Sequence, residues 1–267
     1  MSTYLDRIGA WHREAAAGDT RDLDELAVAA AAVPAPRDFL GALSPEGRGG
    51  GAIALIAEIK RRSPSKGDIT PSLDAAEVAR DYASGGASCL SVLTDGPHFG
   101  GTAEDLRAAR AAVSLPVLRK DFTVAPADVY DARIMGADAV LLIVALLSPE
   151  ELSCLHGLAR ELDLAALVEV HDEAELARAL EVRPLLVGVN QRDLHSFEVD
   201  RERAARLAAA IPPGVLKVAE SGIESPAEVA ALAQAGFDAV LVGESLLRSP
   251  DRRAAAAGLS GRPVPCG

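Results

Sequence analysis

Glu58 and Lys60 stand two residues apart at the end of a short apolar run, residues 53–59. If that run is a strand, alternation puts both side chains on one face. Similar runs end on polar groups of the same kind. Lys120 stands in Arg119-Lys120-Asp121-Phe122, and Glu169 lies between Val168 and Val170. Asn190 and Arg192 stand in Asn190-Gln191-Arg192-Asp193, and two later runs end Glu220-Ser221-Gly222 and Gly243-Glu244-Ser245. Buried charges cost several kcal/mol unless they find partners. One such pair could merely brace a fold, but a bracing network has no reason to collect at the ends of so many strands. A lysine beside carboxylates suits general acid–base chemistry, and it could equally form a Schiff base with a carbonyl substrate. The residue types leave both open.

Ser221-Gly222 and Gly243-Glu244 suit phosphate, because glycine lets backbone N–H groups approach an anion closely. The Glu244 carboxylate would repel that anion, so its N–H would have to serve alone. Neither GxxxxGK[ST] nor GxGxxG occurs, so no nucleotide cofactor is indicated. His12, His98, His156, His171 and His195 fall in no HxxxH or HxH spacing, and Cys89, Cys154 and Cys266 form no CxxC pair. Neither a metal site nor a disulfide framework is expected.

The elements that must hold these groups repeat. Eight apolar runs, at 53–59, 89–93, 116–118, 139–144, 166–170, 185–189, 215–218 and 239–242, read as buried parallel strands. Helical stretches such as 73–83, 103–112, 149–161, 173–180 and 227–235 separate them. Gly86-Ala87-Ser88-Cys89-Leu90 is echoed by Gly136-Ala137-Asp138-Ala139-Val140 and by Gly236-Phe237-Asp238-Ala239-Val240. Each glycine fits a helix C-cap of positive φ just before a strand. The echoes lie 50 and 100 residues apart, so one βα unit takes about 25 residues. Eight such units from Ile53 nearly exhaust the chain. An α/β fold of the (β/α)8 TIM-barrel type is predicted over residues 51–267, with an open doubly wound sheet as its competitor. Residues 1–50 read as an N-terminal helical extension, with helices at 4–17 and 23–32 ended by Pro34 and Pro36.

Composition agrees with one large domain. The chain has 267 residues, 49% apolar and 25% charged, enough to build a core and to argue against disorder. Its net charge of -12 makes it a poor partner for nucleic acid. No apolar run approaches the ~18 residues of a membrane span, and the N-terminus lacks a signal-peptide pattern. Three scattered cysteines suit a reducing, cytoplasmic compartment.

These motifs make the chain resemble indole-3-glycerol-phosphate synthase. The resemblance rests on Glu58-Ile59-Lys60-Arg61-Arg62-Ser63-Pro64-Ser65-Lys66-Gly67 and Leu115-Pro116-Val117-Leu118-Arg119-Lys120-Asp121-Phe122, and on Phe99-Gly100-Gly101. Leu167-Val168-Glu169-Val170-His171, Asn190-Gln191-Arg192-Asp193-Leu194 and Ala219-Glu220-Ser221-Gly222-Ile223 extend it. It implies a monomeric carboxy-lyase of tryptophan biosynthesis, without cofactor or metal. Its partner would be a small phosphorylated, anthranilate-derived substrate, 1-(2-carboxyphenylamino)-1-deoxyribulose 5-phosphate. Carried over by motif, Lys120 is the general acid of ring closure and Glu169 the acid/base of dehydration. Glu58 orients the lysines and the substrate, and Lys60 contacts an anion, phosphate rather than carboxylate. Ser63, Asn190 and Arg192 surround the anthranilate ring, its carboxylate and the hydroxyls. Phe99, Phe122, Leu141 and Leu194 wall the ring, and Ser221, Gly222, Gly243 and Glu244 supply the phosphate loops. The resemblance also implies that the N-terminal extension, residues 1–50, packs on the barrel mouth.

The chain departs from the pattern at Asp193, where many members carry Asn. It also lacks a second aromatic in Gly96-Pro97-His98-Phe99, and it carries Val182-Arg183-Pro184 where a Gly-Ala pair is usual. The resemblance favours this reading over phosphoribosylanthranilate isomerase, whose base is a Cys where Glu58 stands. Two more distant rivals are a Schiff-base aldolase using Lys120 and a lapsed barrel kept as a scaffold.

Overall fold

Residues 4–46, 53–63, 67–70, 72–192 and 199–260 are described by a computed structural model. Its core is a closed barrel of eight parallel strands: β1 (Ala54–Ile59), β4 (Cys89–Leu93), β5 (Val117–Lys120), β6 (Ala139–Ile143), β7 (Ala165–Val170), β8 (Leu186–Asn190), β9 (Leu216–Glu220) and β10 (Ala239–Val242). Each strand pairs with its sequence neighbour in the barrel, and β10 closes the ring on β1. β2 (Arg62–Ser63) and β3 (Gly67–Asp68) form a small antiparallel ribbon after β1. The (β/α)8 reading of the sequence is correct, and the open sheet is excluded.

The strands are buried on both faces, which is why they read as unbroken apolar runs. Alternate residues divide between two cores. Leu55, Leu90, Val140, Val168, Val189 and Val240 face the surrounding helices. Ile56, Leu118, Leu141, Leu167, Val218 and Leu241 fill the barrel. The same inward parity carries on to Glu58, Lys120, Glu169, Asn190 and Glu220 at the C-terminal rim.

The helices around the barrel are α4 (Ala75–Ser84), α5 (Gly96–Phe99), α6 (Ala103–Ala112), α7 (Pro126–Met135), α8 (Pro149–Glu161), α9 (Glu173–Glu181), α10 (Arg201–Ala210), α11 (Pro226–Gln234), α12 (Glu244–Leu247) and α13 (Arg252–Ser260). Side-chain caps start most of them: Asp74, Thr102, Asp172 and Asp200 accept from first-turn N–H groups. Ser148 and Ser225 form capping boxes with Glu151 and Glu228. The periodicity reading singles out neither α7 nor α10. In α7 the apolar residues are spread around the helix, and α10 is mostly Arg and Ala, so neither shows a clean stripe.

The 50-residue echo has a physical basis. Gly86, Gly136 and Gly236 all take φ near +90°, at +87°, +89° and +88°. The residue two on bonds back to the preceding strand: Ser88 N to Leu55 O, Asp138 N to Val117 O and Asp238 N to Lys217 O, at 2.8–2.9 Å. Asp138 and Asp238 also accept from Val117 N (2.7 Å) and Lys217 N (3.0 Å).

The N-terminal segment begins with α1 (Tyr4–Ala17), α2 (Leu23–Ala32) and α3 (Phe39–Leu43). The sequence reading puts this whole extension on the mouth, but only α1 lies there. Arg13 holds α1 to the start of α8 through Glu151 at 2.6 and 2.8 Å. α2 packs along α7, where Arg21 meets Asp131 at 2.8 Å. α3 seals the opposite end. Its Phe39 and Leu43 join Ala54, Cys89 and Ala139 in the barrel core. Arg37 secures it, donating to Val113 O and Leu115 O while its N–H bonds Asp138. The reason is packing: small residues at the barrel base leave room that these two apolar side chains fill.

Candidate active site

A cavity lies at the C-terminal ends of the strands, where (β/α)8 enzymes keep their active sites. Glu58, Lys60, Lys120, Glu169, Asn190, Arg192 and Glu220 line it from below. Phe99, Phe122, Leu141, Leu5 and Ile8 form its apolar wall. The loops after β9 and β10 close one side with Ser221, Gly222, Gly243, Glu244 and Ser245. Ser63 lies in β2 opposite Gly67. Leu194 lies outside the described residues.

A charged network organises the floor. Lys120 Nζ donates to Glu169 Oε2 at 2.8 Å and to Glu220 Oε2 at 2.9 Å. Lys60 Nζ donates to Glu58 Oε1 at 2.6 Å. Asn190 Nδ2 donates to Glu169 Oε1 at 3.1 Å, while Asn190 Oδ1 accepts from Arg192 N at 3.1 Å. Glu58, Glu169 and Glu220 are all buried. Such a cluster survives burial only because the charges compensate each other.

The proton affinities follow. Burial pulls the Lys120 ammonium down, but Glu169, Glu220 and Glu58 together outweigh it and hold the lysine above its ordinary value. Burial raises Glu169, but Lys120 and His171 prevail and hold it below the usual carboxylate range. Glu220 goes the other way. Burial and the neighbouring charge of Glu169 push it up to about 7, against the pull of Lys120. Lys120 is therefore charged, Glu169 ionised, and Glu220 the group that titrates near neutrality.

Two glycines make room for these carboxylates. A Cβ on Gly188 would stand 2.2 Å from Glu220 Oε1, and one on Gly243 would stand 2.5 Å from Glu58 Oε1. His171 supports Glu169 from behind, with Nε2 at 3.4 Å from Glu169 Oε1 and Nδ1 at 3.0 Å from Glu175 Oε2. Burial disfavours its charge, yet the two carboxylates raise it to about 9.

The phosphate-type loops also have a definite geometry. Ser221 and Gly222 both take φ +70°, an arrangement that costs a serine about 1–3 kcal/mol. Gln191 Nε2 holds the Ser221 carbonyl at 2.9 Å. α12 begins at Glu244, directly after Gly243, and its first residues, Glu244 and Ser245, line the cavity. The Glu244 carboxylate pairs with Arg248 at 3.1 Å, along its own helix. The Phe99 and Phe122 rings lie 6.0 Å apart and 37° inclined, and both line the cavity with Leu141.

Sequence reasoning places Glu220 at a strand end but assigns it no part in the site. Its inward parity with Val218 is the available signal. The sequence puts His171 just past a strand as well; its carboxylate partners come from β7 and α9 and are visible only after folding.

A family model described as indole-3-glycerol phosphate synthase matches residues 5–259. The indole-3-glycerol phosphate synthase of Mycobacterium ulcerans is 49% identical over 247 residues, 92% of this chain and 88% of the relative. That of Polaromonas sp. is 47% identical over 263 residues, 98% and 99% of the two chains. Among solved structures, thiamine phosphate pyrophosphorylase from Pyrococcus furiosus covers 79% of this chain, and 95% of its own, at a TM-score of 0.60 and 16% identity, a likeness of fold. With the match running through every barrel strand, the chain belongs to the indole-3-glycerol phosphate synthase family.

Proposed function

We propose that the rim network converts 1-(2-carboxyphenylamino)-1-deoxyribulose 5-phosphate to indole-3-glycerol phosphate, releasing CO₂ and water, in tryptophan biosynthesis. The observation that carries the assignment of roles is the Lys120 ammonium held between Glu169 and Glu220. The reaction joins the carboxyl-bearing ring carbon to the ketone carbon, and the ketone oxygen gains a proton. A lysine kept charged is suited to give that proton, and its charge offsets the developing oxyanion. Loss of CO₂ then restores the aromatic ring, so no external electron sink is needed. In the last step the new hydroxyl takes a proton from solvent and leaves as water, and the adjoining methylene carbon gives up a proton. Glu169, ionised and beside Asn190, is the group suited to accept it.

Folding the substrate is the other half of the task. Phe99, Phe122, Leu141 and Leu194 are assigned to the ring, and Ser63, Asn190 and Arg192 to its carboxylate and the hydroxyls. Ser221, Gly222, Gly243 and the Glu244 N–H are assigned to the phosphate. Lys60, tethered by Glu58, is assigned to the phosphate as well. The charged floor, Glu58, Lys60, Lys120, Glu169, Asn190, Arg192 and Glu220, comes from a single chain, which suits a monomer. No described helix is long and apolar enough to cross a membrane, and the free thiols of Cys89 and Cys154 suit a reducing cytoplasm.

A Schiff-base role for Lys120 would require a neutral amine, and three carboxylates oppose that state. The test is to mix the purified protein with the carboxyphenylamino substrate and follow indole fluorescence. No product at micromolar enzyme would refute the reading. A borohydride-trapped adduct on Lys120 would replace acid catalysis with imine chemistry.

A further inference from the structure

Three side chains with metal-binding atoms converge just outside the charged floor, where α1 crosses the loop after β4. They are His12 of α1, Asp95 at the N-cap of α5, and His98 within α5. Their ligand-capable atoms all lie within 4.8 Å of one another. His98 Nδ1 is 3.0 Å from Asp95 Oδ2, and His12 Nε2 is 3.8 Å from Asp95 Oδ1. In a tetrahedral zinc site, bonds of 2.0–2.1 Å put the ligand atoms about 3.3 Å apart. The cluster therefore departs from that spacing by between a few tenths of an ångström and about one and a half ångström.

The second observation is His12 itself. Its Nε2 is buried and has no hydrogen-bond partner. It faces Asp95 at 3.8 Å and Asp121 at 4.0 Å, too far for hydrogen bonds. The imidazole nitrogen thus stands near two carboxylates without bonding either of them. A cation would use that nitrogen and the negative charge of Asp95. Asp95 is buried, and the ion-pair partners it finds are imidazoles. Asp121 is already engaged by Arg119 at 2.9 Å, so Asp95 has the charge available.

We propose that His12, Asp95 and His98 form a binding site for a divalent transition-metal ion of the zinc class, which clamps α1 to the loop after β4. Two imidazole nitrogens and one carboxylate favour such an ion over calcium or magnesium. The ion would replace the proton between His98 Nδ1 and Asp95 and release it to solvent. Three protein ligands leave a fourth position for water. The clamp would bear on the cavity, since Leu5 and Ile8 of α1 and Phe99 of α5 line it.

The experiment uses the full chain, stripped of metal by chelation and titrated with Co²⁺ and with Zn²⁺ near neutral pH. One equivalent of Co²⁺ should give the visible absorption of a tetrahedral site. Zinc should displace it and raise the unfolding temperature by several degrees once free zinc stands about a hundredfold above Kd. His12→Phe keeps a ring against Phe122 and Trp11 (5.1 and 4.8 Å in the parent) but removes the nitrogen. His12→Phe and His98→Ala should both lose the absorption and the thermal shift. Cys154→Ser should keep them. The site is overturned if the wild-type chain binds no Co²⁺, if His12→Phe binds it unchanged, or if Cys154→Ser abolishes binding. None of these readouts depends on turnover, so they stand or fall separately from the proposed reaction.

Discussion

Glu169 and Glu220, carried by different strands, share a single ammonium, that of Lys120, yet they hold protons very differently. Glu169 has Asn190 at 3.1 Å and His171 at 3.4 Å besides the lysine. Glu220 has one oxygen on Lys120 and its other, Oε1, buried without a hydrogen bond. Unequal support makes one carboxylate a fixed anion and leaves the other free to take a proton near pH 7.

Removing the shared cation should stop the chemistry. Lys120→Met is expected to lower kcat about a thousandfold, in the range for losing a positioned general acid. KM should change much less. Turnover within tenfold of wild type in the fluorescence assay would remove Lys120 from the mechanism.

Glu220 should shape the pH profile. As pH falls through about 7 it takes a proton and Lys120 loses an anionic partner. Glu220→Gln should flatten the acid limb of kcat against pH and leave a lower, level rate. An acid limb unchanged in Glu220→Gln would assign that limb to another group.

Gly188→Ala should separate activity from stability. The new Cβ meets the mobile end of Glu220, which can swing aside, and Leu167 Cδ1 at 3.1 Å. Unfolding temperature should fall modestly, since the buried cluster loses one compensating contact, while kcat falls more than tenfold because Glu220 leaves Lys120. Full activity, or gross unfolding, would contradict this role for Gly188. Gly243→Ala would press on the Glu58 Cβ at 3.0 Å as well as on its carboxylate, so it should cost stability along with activity.

His171 makes a pH-dependent contribution to stability. Its proton is held more tightly in the fold, at about 9, than in the unfolded chain, at about 6.5. The stabilisation is full below about pH 6.5, reaches up to ~3 kcal/mol there, and is lost as pH rises through 9. His171→Gln should therefore be most destabilising near pH 6 and least above pH 9. Denaturant unfolding at several pH values measures the gap; a gap independent of pH would contradict the ionic role.

The barrel is legible in the sequence because its repeat is physical. A left-handed glycine, then a backbone bond to the preceding strand, recurs at Gly86, Gly136 and Gly236, so the period survives in the letters. The parity of Glu58 with Lys60 is legible for the same reason, since a strand alternates wherever it sits. Other relations depend on closure. That Lys120 reaches both Glu169 and Glu220 follows from the curvature of the sheet, which no local pattern encodes. His12 stands far from Asp95 and His98 in the chain, so ligand spacing does not reveal their meeting. The position of α3 is hidden too: Phe39 and Leu43 look like any apolar pair until the width of the barrel base is known.

The N-terminal segment touches both ends of one cylinder. Phe39 and Leu43 stop the base like a cork, while α1 hangs over the rim, and the stretch around Pro34 and Pro36 joins α2 to the cork. The two attachments are therefore separable by scissors. A chain shortened to begin at residue 34 would keep its cork and remain a barrel, open at the top and poor at gathering substrate. One shortened past residue 43 would leave the base uncorked, and the whole cylinder would be at risk.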